Sequence, residues 1–229
     1  MSSRDHALNE KLRDLAQLDY NYDARVFEAS QDRLGWKIDA YHEVVGREQP
    51  GPPLPNGPFE RLKSMIQAYR FPDPHLIHAV FDADSRLEGR NMLLIAHFMG
   101  FSFQFGVRIV KVFDEIYTNA KHHHEQVWGY SYRTLKGHFE VGEISFRLSK
   151  DYETGEIFFS INAYSKPDRI PQFYFRWGFK IFGRRLQRYF ALSAFDRLRE
   201  EAIRGAPRDL QPAEIAPRIA ETTKLGSSS

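Results

Sequence analysis

Cysteine is absent from all 229 residues, which excludes disulfides, thiol catalysis and thiolate metal sites. No apolar run reaches the roughly 18 residues that a membrane-spanning helix needs. The opening Met1-Ser2-Ser3-Arg4-Asp5-His6 lacks the basic-then-apolar order of a secretory signal, so a soluble, cytoplasmic protein is expected. Charge of one sign is scarce as well: Lys+Arg 32 against Asp+Glu 30 leaves +2. The global field of a dedicated nucleic-acid binder is therefore missing, and no nucleic-acid partner is expected. A Walker loop, a dinucleotide fingerprint, an HExxH and a GxSxG elbow are all lacking, which removes support from the common phosphate, nicotinamide, zinc-protease and serine-hydrolase mechanisms. Histidines do cluster as His122-His123-His124 and His75-x-x-His78, but only Glu125 accompanies the triplet and no acidic pair stands at ligand spacing. Neither a metal nor another cofactor is expected.

Aromatic side chains, by contrast, are abundant. They make up 14% of the chain, with 19 Phe, and crowd into residues 98–195. A wide, ring-lined interior and an ordinary core built on Phe instead of Leu both fit that density. Residues 3–18 set Leu8, Leu12, Leu15 and Leu18 at helical spacing. Trp36 to Val45 alternates as a strand closed by Gly46. Pro50 to Pro58 holds five prolines and two glycines in nine residues and must be a loop. Asn56 and Pro58 then suit the start of a helix carrying Phe59, Leu62, Met65, Ile66 and Tyr69 on one side.

Beyond Pro74 the period becomes that of strands, predicted near 76–83, 91–103, 106–117, 128–135, 140–150 and 156–165. The segment 118–127 reads as a polar loop containing the histidines. A long helix follows from Pro171 to about Ile203, with Phe175, Phe179, Phe182, Leu186, Phe190, Ala194 and Leu198 at three- and four-residue spacings. The predicted division is a helical extension over 1–30, a single domain over 31–204 and a mobile tail over 205–229. A strand, a helix, six consecutive strands and a long carboxy-terminal helix imply an antiparallel meander covered by that helix. This is an α+β helix-grip, or START-like, architecture: a curved antiparallel sheet of about seven strands around the helix, with a cavity between them.

The densest stretch is Trp128-Gly129-Tyr130-Ser131-Tyr132-Arg133-Thr134-Leu135-Lys136-Gly137-His138-Phe139-Glu140-Val141-Gly142-Glu143, whose glycines are expected to turn or bulge the backbone. Its Gly129-Tyr130-Ser131-Tyr132 and the run Thr134 to Glu143 resemble the signature of the uncharacterised domain-of-unknown-function family numbered nineteen-ninety. Gly57-Pro58-Phe59-Glu60, Val107 to Glu115, Ile161-Asn162-Ala163-Tyr164-Ser165-Lys166-Pro167 and Leu186-Gln187-Arg188-Tyr189 add to the resemblance, which spans about Pro58 to Glu201. The loop Tyr117 to Gln126 is longer than in that family, and Phe98 to Phe105 is more aromatic. The resemblance implies a START-like domain and supplies no substrate.

Alternation over 138–148 places His138, Glu140, Ile144, Phe146 and Leu148 on one face, with Phe139, Val141, Glu143 and Arg147 on the other; a bulge at Gly142 would reverse this. Two readings of His138 and Glu140 stand: a polar anchor or acid–base pair at the mouth of an aromatic pocket, or a turn in which both side chains bond neighbouring backbone. Tyr130 and Tyr132 either line the cavity or pack across strands. Arg176, Lys180, Arg184 and Arg188, spaced by four on the long helix, form a basic stripe suited to phosphate, acidic headgroups or a partner carboxylate, or simply a solvated face. The leading expectation is a binding module, more readily than an enzyme, that encloses a small apolar or aromatic molecule and orients its polar end with Tyr132, His138 and Glu140. The alternatives are an enzyme using His138 with Glu140, and a peripheral lipid-handling protein using the basic helix at a membrane surface.

Overall fold

Strand alternation and leucine spacing become, among the described residues, seven strands and three helices in the computed structural model. It describes residues 3–23, 25, 36–98, 100–138, 140–167 and 173–204, with side chains for 8–23, 25, 36–97, 100–138, 140–166 and 187–204. In chain order these are α1 (Ser3–Gln17), β1 (Lys37–Arg47), α2 (Pro58–Gln67), β2 (Ile77–Val80), β3 (Asn91–Phe98), β4 (Phe101–Thr118), β5 (His124–Thr134), β6 (Glu140–Asp151), β7 (Glu156–Pro167) and α3 (Phe173–Ile203). The tail expected over 205–229 lies outside the described residues.

One antiparallel sheet has the order β1-β7-β6-β5-β4-β3-β2. The chain crosses through α2 from one edge to the other and returns as a meander, which brings its first and last strands together. The architecture is a helix-grip: curved sheet, long carboxy-terminal helix on the concave face. Register shifts fall between Val44 and Gly46 and between Ile109 and Lys111, where an extra residue bends the bulged strand.

The concave face, α2 and the second half of α3 share one core that includes Phe59, Leu62, Ile66, Tyr130, Phe146, Phe159, Phe195 and Leu198. Phe146 is its hub, with ring centroids 4.8 Å from Phe71, 5.6 Å from Tyr130 and 5.7 Å from Tyr132. On the convex face, Leu15 of α1 packs with Leu93 and Leu135, flanked by Leu8, Leu12 and Leu18. Arg108 holds that helix in place by donating to the carbonyls of Leu15, Ala16 and Leu18 at 3.0, 3.2 and 3.1 Å. Leu15 and Ala16 lie in the last turn of α1, where intrahelical donors run out.

Several sequence expectations shift. The break expected between 103 and 106 lies at Gly100, whose φ of 83 makes the hairpin turn, whereas Gly106 stays inside β4, paired with Leu93, and a side chain there would collide with Leu15. The loop expected over 118–127 shrinks to 119–123, since pairing continues to Thr118 and His124. Tyr69 lies beyond the end of α2, yet it remains buried. Of the ribbon's glycines, only Gly137 turns the chain, at φ 90. Gly129 and Gly142 sit in regular pairing and serve close approach instead: a Cβ would run into the Phe146 carbonyl at Gly129 and the Tyr164 carbonyl at Gly142. Gly142→Ala must push β7 away. It should cost about 2 kcal/mol, read as a lower urea midpoint; an unchanged midpoint would show that the strands have room.

A buried ion pair closes the end of the molecule opposite the hairpin turn at Gly137. Lys150 Nζ lies 2.7 Å from Glu48 Oε2, with both side chains 0% exposed. Glu48 also accepts the backbone N–H of Phe59 at 2.6 Å and of Leu54 at 3.1 Å. It thus caps α2, whose own N-cap residue, Gly57, has no side chain to do so.

Candidate functional site

Register across the sheet arranges the concave face in rows. Asp114, Trp128, Leu148, Phe159 and Glu43 form one row; Val112, Tyr130, Phe146, Ile161 and Tyr41 the next; Ile109, Tyr132, Ile144, Ala163 and Asp39 a third. In the first two, the central aromatic and aliphatic side chains are almost fully buried beneath Phe190, Ala194 and Phe195 of α3. In the third, Ile144, Ala163 and Asp39 are only half-buried, and so is Glu140, farther along β6 on the same face. The floor therefore opens toward Tyr132 and Glu140.

Both expected tyrosines belong to this floor. Tyr130 is 0% exposed and donates its hydroxyl to the Ile66 carbonyl at 3.1 Å, a packing role. Tyr132 lies 3.4 Å, hydroxyl to hydroxyl, from Tyr69, and burial pushes its phenol up to about 12, with a further push from Glu140. Among the described residues Glu140 is the most perturbed carboxyl. Burial raises it to about 7, Lys37 opposes the rise and Asp39 adds to it. Its backbone carbonyl accepts from Asn21 at 2.8 Å, but among the described residues no donor meets its carboxylate.

His138 lies beyond the end of β5, packed edge-on against Phe105 with ring centroids 4.5 Å apart. Its Nδ1 accepts the backbone N–H of Glu140 at 2.9 Å, which places the ring proton on Nε2. Burial drives the ring down to about 3, so it stays neutral at physiological pH. This bond joins the imidazole to the backbone of Glu140.

Arg188 is exposed, and its charge reaches Tyr41. The backbone of α3 carries Arg176, Lys180 and Arg184, but their side chains lie outside those described. Among the described residues no group of three His, Asp or Glu side chains converges as a metal site, and no helix is long and apolar enough to cross a membrane. Sequence reading missed Tyr69, Tyr41 and Asp39. The two β1 residues alternate correctly in sequence, but their neighbours on β7 are set by register alone. The signal at Tyr69 is a large residue in the short run between the helix end and Pro72, where glycine is usual.

A family model described as a domain of unknown function, DUF1990, matches residues 23–196. No curated protein matches the sequence. Similar solved structures include Ara h 8.0201, 9% identical, covering 75% of this chain and 100% of that one at a TM-score of 0.43. A protein from Chromobacterium violaceum is 13% identical, with coverage of 76% and 97% at 0.40. Human STARD10 is 9% identical, with coverage of 80% of each chain at 0.33.

Proposed function

Because the chain belongs to the DUF1990 family of domains of unknown function, which supplies no activity, we propose a function from the concave face itself: binding of a small, largely apolar or aromatic molecule between the sheet and α3. The observation that carries this is Glu140, a half-buried carboxyl on an aromatic and aliphatic floor with no hydrogen-bond partner among the described residues. A carboxyl withdrawn from water without a hydrogen-bond partner is destabilised in proportion to its burial, and a ligand that meets it lessens that cost. Tyr132 flanks the position, while His138 shapes the rim through the Glu140 backbone. A pocket of this kind is mostly apolar, with a few polar groups that fix orientation.

The test is native mass spectrometry of protein purified from cells without detergent. A retained molecule of a few hundred daltons is expected in wild type, at reduced occupancy in Glu140→Gln. Protein that emerges empty, and that enhances the emission of no apolar dye, would defeat the reading.

A further inference from the structure

The floor also holds a hydrogen-bonding imbalance separate from Glu140. Tyr69 and Tyr132 share one contact of 3.4 Å in which either hydroxyl donates. Each phenol carries a proton, so the accepting hydroxyl keeps an O–H with no acceptor among the described residues. Tyr130 shows the contrast, since its proton goes to Ile66 and its ring is wholly enclosed. Tyr132 retains 8% exposure against 3% for Tyr69, so the spare donor faces the open side through Tyr132.

The backbone at Tyr69 points the same way. Its φ of 51 is left-handed. Its N–H bonds the Ile66 carbonyl and that of Arg70 bonds the Met65 carbonyl, both at 3.0 Å. This is the helix-ending position that favours glycine. A tyrosine held there sets its ring 5.3 Å from Phe71 and 6.3 Å from Phe146, with its hydroxyl at Tyr132, a placement that glycine forfeits. The charges nearby narrow the partner. Glu140 and Asp39 share the face with Lys37, so the described floor offers no surplus positive charge to an anion, and a cation has no acceptor for an O–H.

Resting on the binding reading above, we propose that the Tyr132 hydroxyl, positioned by Tyr69, donates a hydrogen bond to an uncharged carbonyl oxygen, which makes the ligand class apolar or aromatic ketones and esters.

The probes are 6-propionyl-2-(dimethylamino)naphthalene and its 6-propyl analogue, which has a methylene in place of the carbonyl. Each is titrated by fluorescence into full-length protein. The preference for the ketone should fall about fivefold in Tyr132→Phe, the worth of one neutral hydrogen bond, and by a smaller factor, about twofold, in Tyr69→Phe, which keeps the ring but removes the hydroxyl that orients Tyr132. Undiminished affinity of Tyr132→Phe for the propyl analogue shows that the variant is folded. The carbonyl stretch of the ketone bound to wild type should lie below its frequency in an aprotic solvent, a readout that needs no variant. Equal preference in wild type and Tyr132→Phe, or an unshifted stretch, overturns the carbonyl inference and leaves the pocket standing. Failure of both probes to bind wild type overturns the pocket and the inference together.

Discussion

Glu48→Ala is expected to lower the unfolding free energy by about 3–5 kcal/mol, the usual result of removing one partner from a buried ion pair. The carboxylate serves three donors at once: Lys150 Nζ, the Phe59 N–H and the Leu54 N–H. Without it, the Lys150 ammonium remains buried with, among the described residues, only the Pro52 carbonyl, 2.9 Å away, as acceptor. The first turn of α2 loses its cap as well. A loss of this size should lower the melting temperature by about 10 °C, at 2–4 °C per kcal/mol for a chain of this length. Glu48→Ala combined with Lys150→Met should recover part of the loss, because the stranded charge is then gone, but not all of it, because two backbone donors stay unpaired. Urea unfolding of the single and double variants decides the matter. A single-variant loss below about 1 kcal/mol would place the pair among surface ion pairs, against its complete burial.

The second large effect depends on pH. Glu140 is raised from 4.5 to about 7 in the folded protein, so between those values the native state binds more protons than the unfolded state. Stability then falls as pH rises through that window: the contribution is fully present below about 4.5 and lost above about 7. The full amplitude is about 3 kcal/mol. Glu140→Gln carries no such titration, so it should equal wild type near pH 4.5 and exceed it by up to about 3 kcal/mol near pH 8. His138 acts with the opposite sign, since its lowered value of about 3 makes its contribution present above about 6.5 and lost as pH falls toward 3. Both proteins carry it, so it cancels in the difference. Urea midpoints that run parallel from pH 4.5 to 8 would show that Glu140 is solvated.

Alternation alone located most of the strands, and the three- and four-residue spacing of α3 gave the buried face that Phe190, Ala194 and Leu198 occupy. Parity also put Glu140, Ile144, Phe146 and Leu148 on one face, as the register confirms. Glycine is where sequence reading failed. Gly100 precedes Phe101 and Gly106 follows Phe105 in one aromatic-rich run, and nothing local distinguishes a glycine needed for left-handed backbone from one needed because another element approaches closely. The site was legible in its central strands and not in its margins. Tyr132 and Glu140 follow from parity, but the direction of the His138 ring depends on the turn after β5. Tyr41 and Asp39 depend on a pairing between the first and last strands that no local pattern encodes.

That pairing also orders the birth of the molecule. Residues 37–47 meet their partners at 156–165 only after roughly 110–130 further residues have been made, and Glu48 waits equally for Lys150. On a ribosome that releases about 5–20 residues per second, β1 spends several seconds without its neighbour while the meander from β2 to β6 is already able to assemble. The pairing of β1 with β7 thus cannot form before the last strand of the sheet exists, and the loop it must close is of the long-range kind that slows folding most.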